Sequence, residues 1–330
     1  MKSSFPALYS TLCPNALSSL ISESYDLGTV KCKFLVRGVG DTYLVESPKD
    51  RFILRIYRAT HRTLPQIQEE VKLLLALEQQ KVSVSYPITD RSGKEIIELE
   101  AAEGLRYGML FSYAPGKAVK LLNDSQLSNL GREMAQFHNV SSTISLGGAR
   151  WHFNHKTTLQ EPLAILQPAL ADDPSAYAWL QHTVAQVETK LSTINDLDFS
   201  KGYCHFDFLP KNFHFDNDRV TLFDFDFMGY GWLVNDIMTF WQHLTLDVFT
   251  GRMTQDAADA AYSEFIKAYR QYRSVSEQEL STVPYLAIGF WLFYMAFHTT
   301  HDQFYTFSQP SQVKAYIGVL KHIVKTYWDS

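Results

Sequence analysis

Four side chains with oxygen donors lie close together in the second half of the chain: Asp207, Asn212, Asp224 and Asp226. They stand among apolar residues in the stretch GYCHFDFLPKNFHFDNDRVTLFDFDFMGYG, residues 202–231. A carboxylate beside apolar surface is costly unless it is paired, hydrogen-bonded or bound to a metal. The pattern therefore indicates a site with a chemical task.

Phosphoryl transfer from ATP suits these residue types, because it needs a base near the acceptor hydroxyl, metal ligands and positive charge on the phosphates. Asp207 can accept the hydroxyl proton, and Asn212 can offer an amide oxygen to Mg²⁺. Asp224 can join the metal to the phosphates, and Asp226 would face the same side if its strand continued. We therefore predict ATP and Mg²⁺ as cofactors.

The first three positions alone are a weak signal, because about one chain in twenty-five of this length would contain such a triplet by chance. Two capped turns with structural aspartates are the alternative interpretation. The hairpin and the apolar strand ending in Asp-Phe-Asp that follow the triplet strengthen the prediction of a site.

Composition limits the classes of function. The 330 residues allow two domains or one large two-lobed domain, and 46% hydrophobic residues indicate a globular protein. A net charge of −5 argues against general binding to nucleic acid or to anionic membranes. We predict a small-molecule hydroxyl acceptor as the partner; oligomeric state cannot be read from the sequence.

The same numbers suggest where the protein works. Three widely spaced cysteines, Cys13, Cys32 and Cys204, predict inert thiols in a reducing compartment. The opening residues show no signal-peptide pattern, and the most apolar run, 283–297, falls short of the ~18–20 residues that a membrane span needs. We therefore predict a cytoplasmic protein.

The elements that must position the site fall into two groups. A helix at 8–24 is followed by a region of alternating strands, the helix 63–80, and more strands. The predicted strands are 29–36, 42–47, 51–57, 95–100 and 107–114. Beyond a Pro-Gly turn at 115–116 the pattern is mostly helical, with helices at 125–140, 173–195, 232–249, 255–272 and 283–301. A hairpin of 212–216 and 219–225 interrupts them.

The stretches CHFDFLPKN and VTLFDFDFMGYGWLVND resemble the catalytic segment of the aminoglycoside phosphotransferase and choline kinase-like family. That family includes type II homoserine kinase and bacterial stress-response kinases, and the resemblance spans roughly 25–245. It implies a protein-kinase-like α+β fold: a small antiparallel β N-lobe with one helix, 1–114, and a larger, mainly helical C-lobe, 115–330. ATP would bind between the nucleotide-binding N-lobe and the C-lobe, which carries the catalytic loop, metal site and acceptor site.

The resemblance also assigns roles. Asp207 matches the catalytic base and His205 the residue that supports the catalytic loop. The metal ligands are Asn212 and Asp224, with Asp226 as a possible additional ligand. Downstream, Asp236 matches a structural aspartate.

Two positions depart from the family pattern. Phe206 replaces a usual small residue, and Lys211 replaces a common glycine. Both substitutions could reshape the acceptor pocket, and neither removes a catalytic group.

The N-lobe should supply phosphate contacts. Gly38 and Gly40 resemble the turn over the nucleotide, although an ordinary hairpin explains them equally well. Arg55 falls where a phosphate-binding Lys or Arg is expected, and Glu70, or failing that Glu69, would be its partner. A surface ion pair is the alternative.

The nucleotide base should be bound nearby. Residues 111–114, FSYA, resemble the hinge whose backbone meets adenine. This makes Phe111 and Tyr113 candidate nucleotide-binding residues.

We therefore predict a phosphotransferase with an alcohol group as acceptor, carried by a small metabolite such as an amino alcohol, amino acid, amino sugar or aminoglycoside-like compound. A protein Ser/Thr kinase of the stress-response type and a non-catalytic nucleotide-binding module are the alternatives, and a wholly structural protein is the weakest. The intact Asp207, Asn212 and Asp224 argue against the non-catalytic module.

The sequence leaves the acceptor pocket open. A cationic acceptor would favour an acidic and aromatic pocket, for which the candidates are Asp236, Asp247, Asp302, Trp241 and Tyr294. A zinc site at His298 and His301 is disfavoured by the spacing, so packing or a substrate pocket is the better interpretation. Three tryptophans are interpreted as core residues: Trp232, Trp241 and Trp291.

Overall fold

The computed structural model describes residues 5–328 and divides into two compact units. The first unit runs to Pro115 and takes in Thr221–Phe223, and the second comprises Gly116–Val220 and the chain from Asp224 onward. That the first unit binds nucleotide and the second holds the acceptor site stays a prediction.

The first unit is built on a five-stranded antiparallel sheet with strand order β1-β2-β3-β5-β4. Its elements are α1 Pro14–Ser24, β1 Lys31–Arg37, β2 Asp41–Glu46, β3 Arg51–Ile56, α2 Leu64–Gln79, β4 Ile96–Ala101 and β5 Gly104–Ser112. Every strand predicted in this region is present, because period-2 alternation marks strands that bury one face.

The first helix was predicted too long. The prediction began at residue 8, whereas α1 begins at Pro14 and the preceding Cys13 has extended backbone angles. A residue before proline is sterically disfavoured from the helical region, so Pro14 can start the helix but the helix cannot run through it.

Helix α2 has a polar cap at its start. The backbone N–H of Thr63 donates to the Gln66 side chain at 3.0 Å, which satisfies one donor at the helix start. The helix buries an apolar face that includes Ile67 and Leu74, and the same face carries the fully buried Glu70.

A buried ion pair crosses the first unit. The Arg106 guanidinium lies 3.4 Å from the Asp41 carboxylate, and neither side chain is exposed. Arg106 also donates to the carbonyl oxygens of Tyr57 and Ser10, at 3.0 and 2.8 Å. Strand β2, strand β3 and the N-terminal segment are therefore tied together by one side chain.

The second unit is mainly helical. Its elements are α3 Asp124–Ser141, β6 Trp151–His152, α4 Glu161–Ala169, α5 Pro174–Ser192, β7 Lys201–Cys204, β8 Phe213–Asp216, β9 Arg219–Leu222, β10 Gly229–Trp232, α6 Val234–Phe249, α7 Gln255–Arg270, α8 Glu277–Ser281, α9 Val283–Thr300 and α10 Pro310–Tyr327. Strands β6, β10 and β7 form a small sheet, and β8 pairs with β9. The α+β class is confirmed.

Sequence patterns missed several of these elements. Strands β6, β7 and β10 are two to four residues long, too short to show alternation, and α4 and α10 were also missed. Helix α9 is buried on nearly all sides, as its apolar run predicts. No helix in the described part of the chain is long and apolar enough to cross a membrane.

Replacing Arg106 with Met is expected to lower the free energy of unfolding by about 3–5 kcal/mol, because it removes the buried cation beside the Asp41 carboxylate and leaves only the partly exposed Arg37 as its ion-pair partner. Urea denaturation measures the change. The matched control is Arg91→Met, which removes an exposed pair with Asp26 and should cost about 1 kcal/mol or less. Equal effects of the two variants would contradict the prediction.

Candidate active site

The loop that carries Asp207 follows β7 and is fixed by one buried carboxylate. Asp236, in the first turn of α6, is fully buried. It accepts hydrogen bonds from the backbone N–H groups of His205 and Phe206, at 2.8 and 2.7 Å. Both bonds are charge-assisted, so the loop conformation just before Asp207 is strongly held.

A second helix supports this carboxylate. His138 of α3 lies 3.1 Å from Asp236 through Nε2 and 2.9 Å from the Tyr269 hydroxyl through Nδ1. Burial lowers the pKa of His138 despite the neighbouring Asp236 carboxylate, so the imidazole is neutral at physiological pH. With these partners, Nε2–H donates to Asp236 and Nδ1 accepts from Tyr269.

Phe206 occupies a strained backbone conformation. Its φ is +59°, in the left-handed region that costs a non-glycine residue about 1–3 kcal/mol. The ring is fully buried and stacks on Phe153 at 3.7 Å, and it meets Phe293 edge-on at 5.4 Å. The residue therefore belongs to an aromatic core, and together with Phe153 and Trp232 it also lines a cavity of about 700 Å³ in the second unit.

The two oxygens of Asp207 have different surroundings. Oδ2 accepts from the Asn212 amide at 2.7 Å and lies 2.8 Å from the Lys211 ammonium. Oδ1 is buried and accepts no hydrogen bond from the described residues. An unpaired buried carboxylate oxygen is costly, and the Tyr294 hydroxyl lies near this carboxylate, so Oδ1 keeps an unused acceptor with a hydroxyl of the chain close by.

Asn212 is oriented through its amide nitrogen. In addition to its hydrogen bond with the Asp207 side-chain oxygen Oδ2, this nitrogen donates to the Asp207 backbone carbonyl at 2.8 Å. Because both contacts use the nitrogen, the amide oxygen is left as an acceptor or metal ligand.

The strand that precedes Asp224 ends earlier than predicted. Strand β9 stops at Leu222, Asp224 has a φ of +64°, and Phe225–Phe227 form one turn of 3₁₀ helix. The expectation that Asp224 and Asp226 share one face of a continuing strand is therefore wrong, because the left-handed residue redirects the chain.

The carboxylates nevertheless gather around one side chain. Burial raises the pKa of the Tyr294 phenol far above its usual range, and the carboxylates of Asp207, Asp224 and Asp226 raise it further. The Tyr294 hydroxyl lies 3.5 Å from the backbone carbonyl of Phe206, the residue before Asp207. Tyr294 of α9, a member of the candidate acidic and aromatic pocket, therefore lies beside the loop that carries Asp207.

These oxygens suit a magnesium ion. Asn212, Asp224 and Asp226 offer the hard oxygen donors that Mg²⁺ prefers, and Mg²⁺ usually takes only one or two protein carboxylates plus phosphate oxygens. Among residues 5–328, no group of three or more His, Cys, Asp or Glu side chains could hold a metal by itself. The donor set fits an ion that is bound together with a nucleotide.

Three other members of the candidate pocket are engaged elsewhere. Asp236 holds the loop, and Asp247 accepts from Arg252 at 2.7 Å. Trp241 is buried against Tyr327. The polar atoms and rings of these three candidates therefore make contacts within the second unit.

The two histidines of α9 and its end stack on aromatic rings. His298 lies on Phe307 at 5.0 Å and His301 on Phe297 at 3.9 Å. Burial, aided by the positive charge of Lys211 and His301, lowers the pKa of His298 to about 4. The His298 imidazole is therefore neutral at physiological pH. Because Lys211 and Asp207 are among its charged neighbours, the end of α9 lies near the candidate site.

In the first unit, Arg55 pairs with Glu70. Nη1 lies 3.3 Å from Oε1, with the Arg55 side chain 14% exposed and Glu70 fully buried. The Tyr57 hydroxyl donates to the other Glu70 oxygen at 3.1 Å. The alternative interpretation, a surface ion pair between Arg55 and Glu70, is therefore wrong, because the pair is largely buried.

The two glycines of the β1–β2 turn differ. A side chain at Gly40 would come within 2.7 Å of the Ile56 carbonyl, whereas at Gly38 the nearest atom would be 3.9 Å away. The close approach of strand β3 is therefore sufficient to explain why residue 40 is glycine. Gly38 has space around its α-carbon and donates to the Gly40 carbonyl at 2.9 Å.

The hinge candidates lie at the end of β5. Phe111 is buried within the strand and under the Arg55 guanidinium at 5.4 Å, and Tyr113 follows the strand beneath Arg51 at 4.1 Å. Their roles in nucleotide binding stay predictions.

Comparison with known proteins identifies the family. The model of the phosphotransferase enzyme family matches residues 31–277. An uncharacterised protein of Synechocystis, sll1119, is 35% identical over 78% of this chain and 72% of its own length. Amicoumacin kinase of Bacillus subtilis is 24% identical over 79% of each chain. The chain belongs to the phosphotransferase enzyme family.

A solved structure agrees on the fold. Amicoumacin kinase hAmiN, in complex with AMP-PNP, Ca²⁺ and amicoumacin, superposes with a TM-score of 0.75 over 95% of this chain and 94% of its own, at 19% identity. The predicted protein-kinase-like fold is confirmed, as is the resemblance seen in the sequence. Family membership also confirms the predicted enzyme class, a phosphotransferase with an alcohol group as acceptor.

Replacing Asp236 with Ala is expected to lower the free energy of unfolding by roughly 3 kcal/mol or more, because three buried donors lose their acceptor. Turnover should fall as well, because the loop before Asp207 loses its anchor. Urea denaturation measures stability, and the exposed Asp259→Ala on α7 is the control. Wild-type stability in Asp236→Ala would contradict the assigned role.

Proposed function

We propose that this protein transfers the γ-phosphate of ATP to a hydroxyl of a small metabolite, with Asp207 as the general base. The observation that carries the proposal is the asymmetry of the Asp207 carboxylate. One oxygen is fixed by Asn212, and the other is buried without a donor among the described residues. A base that is fixed at one oxygen and has an unused acceptor at the other suits proton transfer from an acceptor hydroxyl.

The neighbouring oxygens support a nucleotide-bound metal. Asn212 and Asp224 would hold Mg²⁺, with Asp226 as the additional ligand. Bound there, the ion would neutralise charge on the phosphates. The chain's own part is to fix Asn212 through Asp207 and to bring the carboxylates together around Tyr294.

The first unit contributes a pre-oriented cation. Arg55 is held by Glu70, which is itself held by Tyr57. A guanidinium keeps its charge and presents several hydrogen-bond donors. Arg55 can therefore bind the α- and β-phosphates while it stays paired with Glu70. Gly38, Phe111 and Tyr113 are proposed to bind the rest of the nucleotide through backbone contacts.

The acceptor is proposed to be a small molecule. The amicoumacin kinases to which this chain is similar act on a small molecule, and none of the comparisons described above favours a protein substrate. Asp236 and Asp247 are held by other groups of the chain, so these two carboxylates give no argument for a cationic acceptor. Consumption of ATP with a panel of amino alcohols, amino acids, amino sugars, aminoglycosides and amicoumacin tests the proposal directly.

Asp207→Asn is expected to reduce turnover about 10²–10⁴-fold, which is the usual contribution of a positioned base. Nucleotide binding should persist, because the substitution keeps the shape of the side chain. Acceptor-dependent ATP consumption measures turnover, and thermal unfolding with Mg-ATP measures binding. The exposed Asp218→Asn in the β8–β9 turn is the control. Undiminished turnover in Asp207→Asn would rule out the base assignment.

Asp224→Ala is expected to abolish the magnesium-dependent stabilisation by ATP. In the wild type, nucleotide at a hundredfold over its dissociation constant should add about 2.7 kcal/mol to stability and raise the unfolding midpoint. Thermal unfolding with ATP, with and without Mg²⁺, measures the effect, and Asp218→Ala controls for lost surface charge. A magnesium-dependent rise that survives in Asp224→Ala would remove Asp224 from the metal site.

A further inference from the structure

Lys211 brings a positive charge to the base from the solvent side. Its Nζ lies 2.8 Å from Asp207 Oδ2, while its side chain is 59% exposed and that of Asp207 only 2%. The family pattern that the sequence resembles commonly has glycine at this position, which would bring no charge.

The base does not depend on Lys211 for its orientation. The Asn212 amide donates to the same oxygen at 2.7 Å and is itself buried. If the lysine moved away, Asp207 would still be held by Asn212. Because the four-carbon stem of Lys211 is flexible and largely exposed, such a movement costs little free energy.

The ammonium has donors to spare. It can donate three hydrogen bonds, and Asp207 is its ion-pair partner among the described residues. At least one further oxygen could therefore be bound without breaking anything else.

The charge also lies in the right electrostatic position. The ammonium lies 2.8 Å from the carboxylate of the proposed base, and Lys211 directly precedes the proposed metal ligand Asn212 in the chain. In phosphoryl transfer, the group that passes between the acceptor and the nucleotide carries its charge on three oxygens.

We infer that Lys211 binds the phosphoryl group that is transferred, donating to its oxygens when ATP is present. The contact would be a charge-assisted hydrogen bond from a point charge. The lysine would exchange the Asp207 carboxylate for the phosphoryl oxygens, while Asn212 keeps the base in place. This inference rests on the proposed function and adds to it a residue that distinguishes ATP from ADP.

The test compares affinities for ATP and ADP, both with Mg²⁺, by titration calorimetry on the full chain. Lys211→Met is expected to weaken ATP binding about tenfold to a hundredfold, as for a lost charged hydrogen bond, and to change ADP binding less than about threefold. Lys211→Arg should restore most of the preference for ATP. Lys267→Met removes an exposed lysine that pairs with Glu264 and should match the wild type.

The outcomes separate the possible roles. Equal losses for ATP and ADP, or no loss for either, would overturn the inference. A fall in turnover with an unchanged ratio of ATP to ADP affinity would also overturn it and make Lys211 a positioning residue for Asp207. A wild type that binds no ATP would overturn the proposed function itself, which distinguishes that failure from the others.

Discussion

The Asp236 carboxylate is the constraint on which the site depends. It satisfies two successive backbone N–H groups at His205 and Phe206 and one imidazole N–H at His138. A buried carboxylate is tolerable only because these donors surround it. The same bonds hold Phe206 in a backbone conformation that it would otherwise avoid, and so the direction of Asp207 is set by a residue well downstream in sequence.

The site combines a rigid part with an adjustable one. Asp207, Asn212 and Asp236 are buried and joined by short hydrogen bonds, so they keep their geometry without a ligand. Lys211 is exposed and held by one ion pair. Such a division suits a reaction in which the base must stay fixed while charge is redistributed next to it.

Short sequence motifs predicted this site better than they predicted its surroundings. The residue types and spacing of Asp207, Asn212 and Asp224 predicted the kind of chemistry. Period-2 alternation predicted most of the longer strands, and helical periodicity predicted most of the longer helices. The left-handed turn at Asp224 was missed because nothing in a single sequence marks a non-glycine residue with positive φ. Tyr294 was noticed only for its type, since its place beside three carboxylates depends on tertiary packing. For the same reason, Asp247 could not be recognised as a partner of Arg252.

The aromatic packing of Phe206 has an evolutionary consequence. Its ring is enclosed by Phe153 and Phe293, which come from separate parts of the second unit. A smaller residue at 206 would enlarge the cavity that this ring lines. A lineage that carries a small residue there is therefore expected to fill the space with a larger side chain just after β6 or on α9.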